Sequence, residues 1–316
     1  MGASMLPNEF IWWNGRLVPW TDARVHVTSE TALRGLNVFE GIRAYWRPRE
    51  SSFAVVGMEA HLERLAKSAH LLAMPTHNPQ PRFRDAIAKV VRAVPQPGDL
   101  YIRPTIYVDR GGYELDPSKI KLGEFVSWRR EPSRLLRTLR CNISSWMRIP
   151  PACLPPGAKI GATYTAFRMA RLEAIASGYD EAILLNDSGR VSETGGGSMF
   201  IVKGETVRTP PLDEGILPSI TRRIVLEALC SALSIEAEER PLTVADLHQA
   251  DEAFIAGTLD EISRIASIGQ TILPDVGPNS VVRKIQTIYR GLCQGTELRD
   301  AGWIQQIDVG GQGCAG

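Results

Sequence analysis

Apolar residues come in short bursts at the start of the chain. Phe10-Ile11-Trp12-Trp13 and Leu17-Val18-Pro19-Trp20 flank Asn14-Gly15. Asn-Gly between two apolar runs predicts a β-hairpin, because its tight turn needs residues that tolerate positive φ. Over residues 59–73 the period changes, and Leu62, Leu65, Ala66, Ala69 and Leu72 fall on one stripe at helical spacing. Residues 100–108, LYIRPTIYV, read as a further strand. The pattern breaks over RREPSRLLRTLR, residues 129–140, where five arginines, one glutamate and a proline suit a solvated connector.

The second half alternates more plainly. Ala182-Ile183-Leu184-Leu185 and Met199-Phe200-Ile201-Val202 read as buried strands with a Gly-rich turn between them. Pro218-Ser219 opens a helix in which Ile220, Ile224, Ala228 and Leu229 share a face, with Ser219 as candidate N-cap. The tail Gly310–Gly316 is glycine-rich and reads as frayed. No internal repeat is present. At 316 residues and about 150 residues per domain, the mixture predicts an α/β or α+β protein of two lobes joined near residue 135.

Composition narrows the class. Apolar residues make up 44% and charged residues 22% of the chain, close to the ordinary globular values of ~45–50% and ~25%. That excludes a disordered, collagen-like or disulfide-scaffold protein. A formal charge of +1 provides no overall field to attract nucleic acid or an anionic membrane. No run of ~18 apolar residues is long enough to span a bilayer. The opening MGASMLPNEFIWWNG lacks the charged and apolar regions of a secretory signal. Cys141, Cys153, Cys230, Cys293 and Cys314 are odd in number and scattered. They read as reduced thiols of a cytoplasmic protein, and none has metal-ligand spacing.

Candidate chemistry concentrates at a few places. There are seven lysines, and Lys159 is the only charged residue between Arg148 and Arg168. An amine among apolar and small residues has its charged form disfavoured, which suits Schiff-base chemistry because only the unprotonated amine attacks a carbonyl. A lysine snorkelling from a Pro-rich loop would show the same surroundings. Glu193 precedes Gly195-Gly196-Gly197, where glycines let a ligand approach closely and the carboxylate could face a cationic ring nitrogen; a flexible hairpin tip is the plainer alternative. The helix start at Leu217–Arg222 offers free N–H groups to an anion, or is simply a capped helix. Gly257-Thr258-Leu259 offers a hydroxyl and close backbone approach. Arg64 lies about 200° around the wheel from Leu62, pointing away from the apolar stripe. It is either solvated or aimed at a phosphate. Arg103 interrupts a strand, and its guanidinium lies over a pocket or out in water. The five histidines form no recognisable triad or metal motif.

In order and spacing, the segments VFEGIR (38–43), HLERL (61–65), YIRP (101–104), Lys159 with Tyr164, GYDEA (178–182), VSE (191–193), LPSITR (217–222) and Gly257-Thr258 are highly specific. From about Phe10 to Trp303 the chain resembles the class IV pyridoxal-phosphate-dependent aminotransferases, above all the bacterial branched-chain group. The resemblance implies a two-domain fold of type IV, D-amino acid aminotransferase-like: a small N-terminal α/β domain over 1–130, an interdomain loop over 131–139, and a large cofactor-binding domain over 140–316. It implies a cytoplasmic enzyme, a homodimer or larger, moving an amino group between an L-amino acid and a 2-oxo acid by a ping-pong reaction. Position by position, it makes Lys159 the Schiff-base lysine and proton shuttle, and Glu193 the partner of the pyridinium nitrogen. Arg64, the amides of Ile220 and Thr221, and the Thr258 hydroxyl would hold the phosphate, with Tyr164 beside the cofactor's phenolic oxygen. Arg103 would receive a dicarboxylate's distal carboxylate, in a substrate pocket shared with Arg34, Phe39, Arg43, Tyr101, Thr258 and Leu259.

Three departures touch the substrate side. Arg34 stands where the branched-chain enzymes usually carry a tyrosine, Gly197-Ser198 replace Glu-Asn, and no tyrosine occurs near Arg130-Glu131-Pro132. An unpaired Arg34 in an apolar pocket would cost several kcal/mol, so a polar or anionic substrate is expected. Alternatively Arg34 turns to solvent or pairs with a carboxylate, leaving the pocket apolar. Other class IV activities stay open: D-amino acid or (R)-amine transamination, aminodeoxychorismate cleavage, or a non-catalytic cofactor-binding homologue.

Overall fold

A computed structural model describes residues 9–95, 97–114 and 116–309. The expected fraying of Gly310–Gly316, and Cys314, lie outside the described residues. Two compact units divide the chain. Among the described residues, the first comprises 9–132, the short stretch Ala158–Ala162 and 302–309; the second comprises Ser133–Gly157 and Thr163–Ala301. Residues 158–162 and 302–309 thus belong with the N-terminal half, not with the C-terminal domain expected from sequence. The reason is strand pairing: Ile304–Asp308 runs antiparallel to Ser52–Val56, and Ile160 bridges to Val38.

In the first unit the Asn14-Gly15 hairpin forms as expected, both residues at positive φ (45° and 101°) between Phe10–Trp13 and Arg16–Pro19. It sits at one edge of an antiparallel sheet. From the other edge the order is Ile304–Asp308, Ser52–Val56, Ile42–Arg47, Leu100–Arg110, Lys121–Arg130, Phe10–Trp13 and Arg16–Pro19, with Asn37–Phe39 also paired to Leu100–Arg110. Alternation along Leu100–Arg110 divides the sheet's faces. Leu100, Ile102, Ile106 and Val108 are buried in the core with the helices Met58–Leu71 and Pro79–Ala93. Tyr101, Arg103, Thr105 and Tyr107 take the opposite face. Pro104 is tolerated in a central strand because it falls where the neighbours Ile42–Arg47 and Asn37–Phe39 are interrupted. Its carbonyl accepts from the Glu40 amide at 2.9 Å.

The second unit has a mixed sheet that closes on itself. Val191–Thr194, Glu181–Leu185, Thr138–Ile143, Glu261–Ile268, Glu252–Gly257 and Ser198–Lys203 follow one another, and the last pairs back to the first. Leu139, Ile183, Val191, Met199, Ile201, Ile255 and Ile265 fill a core here, each buried side chain stabilising by about 1.5–3 kcal/mol. Two expectations are corrected. The stretch expected to be one Gly-rich turn contains the fully buried strand Val191–Thr194, because ring closure needs that strand paired on both sides. The connector is less solvated and shorter than expected: Arg129 and Arg130 end a strand, Thr138 begins another, and Glu131 and Leu135 are buried. The helical segment begins at Ile220 with Ser219 capping the Arg222 amide at 3.2 Å. It widens into π-type turns over Val225–Leu229.

Candidate active site

The first unit gathers five sequence-predicted residues. Lys159 is held by its backbone: its amide donates to Ser68 Oγ at 3.0 Å and its carbonyl accepts from the Phe39 amide at 3.1 Å. Its Nζ stands 5.1 Å from the centre of the buried Phe39 ring. Arg103 reaches the same ring, its guanidinium carbon 3.6 Å from the centroid. Among the described residues Arg103 makes no ion pair. Tyr101 lies two positions along the same sheet face, packed against Gly41 and stacked by Arg129 at 4.2 Å.

Arg64 is not solvated. It is 8% exposed, and its Nε and Nη2 each donate to Glu40 at 2.7 Å, while His61 Nδ1 lies 2.8 Å from Glu40 Oε2. Burial alone would push the Glu40 carboxyl up, but the Arg64 charge and hydrogen bonds from Arg64 and His61 outweigh it and hold it at about 2. Burial lowers the His61 pKa, so the ring is neutral and Nδ1 carries the hydrogen donated to the carboxylate. The stability owed to Glu40 is therefore complete above the ordinary carboxylate range and is lost only as pH falls towards about 2.

Two substrate expectations change. Arg43 is 1% exposed, with its guanidinium directed to the Pro132 carbonyl (3.4 Å) and Asp99 (3.9 Å). It is a core residue of the sheet and not a surface that a substrate touches. Arg34 ends the short helix Glu30–Arg34, pairs with Glu30 one turn back and lies 5.0 Å from the Tyr113 ring centre. Its side chain is 47% exposed, so the desolvation cost argued from sequence does not arise.

The second unit gathers the remainder. Glu193 and Arg148 form a buried ion pair, Arg148 Nε to Glu193 Oε1 at 2.6 Å. The Leu217 amide lies 3.3 Å from both carboxylate oxygens. Among the described residues Oε2 has that long contact alone, and it can accept a further hydrogen bond. Ser198, directly across the ladder from Glu193, has a buried hydroxyl with no partner among the described residues. Ile220 and Thr221 are buried at the start of the capped helix. Tyr164 begins the helix Tyr164–Ala176 and meets Phe167 edge-on at 5.4 Å. Thr258 and Leu259 are half-buried in the turn after Glu252–Gly257.

Gly195-Gly196-Gly197 is not a loose tip. A Cβ on Gly197 would stand 2.6 Å from the Ala256 carbonyl oxygen, and one on Gly257 would stand 2.6 Å from that of Gly196. The two turns touch backbone to backbone, which neither could do with side chains. Gly197→Ala is expected to cost about 1–3 kcal/mol by overpacking, a fall of several degrees in a thermal denaturation scan. An unchanged midpoint would mean that the turns are not in contact.

Sequence reasoning missed Arg148, Glu40 and His61. Each sits among residues it did single out, but no local pattern marks a side chain whose partner is dozens of positions away.

Each unit by itself carries groups of the kind that pyridoxal phosphate needs: the first an amine beside an aromatic ring, the second a braced carboxylate and a capped helix start. Among the described residues no His/Cys/Asp/Glu cluster could hold a metal, and no helix is long and apolar enough to cross a membrane. The family described as Amino-transferase class IV matches residues 37–268. A probable branched-chain-amino-acid aminotransferase of Aquifex aeolicus is 32% identical over 305 residues, spanning 95% of this chain and 97% of the relative. The branched-chain-amino-acid aminotransferase of Escherichia coli K12 is 32% identical over 310 residues, with 95% and 98% covered. The crystal structure of the Thermobaculum terrenum branched-chain amino acid aminotransferase in its PLP form matches with a TM-score of 0.88 at 35% identity, covering 95% of this chain and 98% of that one. The chain therefore belongs to the class IV aminotransferases: it is a pyridoxal-phosphate-dependent transaminase of fold type IV, similar to the branched-chain enzymes.

Proposed function

We propose that this transaminase passes an amino group from an L-amino acid to a 2-oxo acid by a ping-pong reaction, and that it prefers a substrate with a polar or anionic side chain. The observation that carries the preference is Arg103. A partly buried guanidinium that, among the described residues, meets an aromatic face and no carboxylate gains most from an arriving carboxylate. Its ring partner, Phe39, also lies against Lys159, so the cation stands close to the reacting amine. Arg34 no longer contributes, being paired with Glu30.

Pyridoxal phosphate supplies a conjugated ring that accepts the electron pair left when a substrate Cα loses its proton. Lys159 Nζ is the base for that proton and the amine that anchors the cofactor. Glu193 would hold the ring nitrogen through Oε2, braced by Arg148. Arg64, the Ile220 and Thr221 amides and the Thr258 hydroxyl would hold the phosphate, and Tyr164 the phenolic oxygen. Phe39, Tyr101 and Leu259 would shape the substrate's side-chain space. A homodimer or larger assembly is supported by the large apolar side chains left in solvent, Val27, Leu33 and Tyr113 in one unit and Leu172 and Ile175 in the other. A reducing cytoplasmic setting is supported by the thiols Cys141, Cys153 and Cys230, which form no disulfide among the described residues.

Steady-state rates across 2-oxo acids test the preference. With the wild type, 2-oxo acids bearing a distal carboxylate should exceed 4-methyl-2-oxopentanoate in kcat/KM. Arg103→Leu should lower the former by about 10²-fold, the worth of a charge-assisted hydrogen bond of about 1.5–3 kcal/mol or more in a desolvated site, and change the latter little. Equal losses on both substrates, or a wild-type preference for 4-methyl-2-oxopentanoate, would defeat the assignment.

A further inference from the structure

The helix Met58–Leu71 carries a second buried stripe besides its apolar one. His61, Arg64 and Ser68, spaced by three and four residues, lie on one face, and all three are buried. Ser68 Oγ receives the Lys159 amide, while His61 and Arg64 both address Glu40. Glu40 follows Phe39 in the chain and is fully buried. Phe39 meets the Lys159 amine, and the Glu40 side chain meets this helix.

We propose that Glu40 is a positioning residue for the cofactor's phosphate, acting through Arg64, with His61 fixing the carboxylate in turn. The inference rests on the assignment of Arg64 to the phosphate. Two parallel bonds of 2.7 Å to Arg64 Nε and Nη2 lock one edge of a planar fork. The remaining hydrogens of the guanidinium point away from Glu40, in directions set by its planarity. A long side chain that would otherwise sample many rotamers is thereby held in one, before any ligand arrives. The carboxylate also cancels the guanidinium charge, so its contribution is direction and not attraction. Charge and orientation consequently predict opposite results when Glu40 is neutralised. Removing the negative charge alone would leave Arg64 more strongly positive and tighten phosphate binding. Removing the clamp would loosen it.

The experiment compares pyridoxal phosphate with pyridoxal, which lacks only the phosphate, binding to each protein by absorbance titration. In Glu40→Gln the amide meets Arg64 and His61 with an N–H where an acceptor is needed. The Kd for pyridoxal phosphate should rise about 10-fold to 100-fold, the usual cost of losing a residue that orients a ligating group. The Kd for pyridoxal should stay within about 2-fold of wild type. Glu40→Asp, which keeps the charge on a shorter stem, should fall between the two, and it serves if the Gln variant does not fold. Unchanged or tighter binding of pyridoxal phosphate overturns the proposal. So does an equal loss for both ligands, which marks a merely structural residue. Arg64→Leu separates this from the parent assignment: if that variant also fails to discriminate the two ligands, Arg64 itself does not serve the phosphate.

Discussion

Lys159→Ala leaves a folded protein that no longer transaminates, with turnover at least about 10³-fold down, within the range that a positioned acid–base group supplies. The loss is specific because the backbone at 159 is held independently of the side chain. Its amide donates to Ser68, its carbonyl accepts from the Phe39 amide, and the adjacent Ile160 bridges to Val38. None of these bonds involves Nζ. Thermal scans should therefore superimpose on wild type within a degree or two, while the spectral change of the half-reaction with an amino donor disappears. Borohydride treatment of the loaded wild-type protein should fix the cofactor to this residue alone. A Lys159→Ala variant that keeps a tenth of the wild-type rate would remove the residue from the chemistry.

What could be read from sequence was whatever recurs locally. The Asn14-Gly15 hairpin, the stripe Leu62, Leu65 and Ala69, and the Ser219 cap are each decided by neighbours in the chain, and each stands as expected. Arg64 shows where this stops. On a helical wheel it lies off the apolar stripe, which normally means water. That side is nonetheless buried, because Glu40, 24 residues earlier in sequence, supplies the compensating charge. A one-dimensional pattern records polarity and not pairing. Arg34 and Arg43 illustrate the same limit in reverse. Both occupy motif or pocket positions, yet one is drawn off by Glu30 and the other is enclosed beside Asp99. The three glycines were legible as a special backbone, but their cause was not. The partner surface is Ala256–Gly257, some sixty residues on, and only the folded ladder brings the two turns into contact.

Arg148→Ala should lower stability more than any surface change in the second unit. Arg148 and Glu193 are each almost wholly enclosed, with side chains 5% and 6% exposed, and removing one partner of such a pair typically costs about 3–5 kcal/mol. For a unit of this size that corresponds to a fall in the melting midpoint of roughly 10 °C. Most of the penalty is the stranded carboxylate and not the lost attraction. It follows that taking away the second charge as well should repair the protein. The double variant Arg148→Met, Glu193→Leu replaces two buried ions by apolar side chains of similar bulk, a change that is often neutral or better. Its midpoint should return to within a few degrees of wild type. Its transaminase activity should be lost, because no carboxylate remains to hold the ring nitrogen and so to favour charge flow into the cofactor. Stability and catalysis then separate: the single variant loses stability, the double variant loses catalysis. Were the double variant stable and active, Glu193 would be a structural anion alone, and the partner of the ring nitrogen would have to be sought elsewhere in the chain.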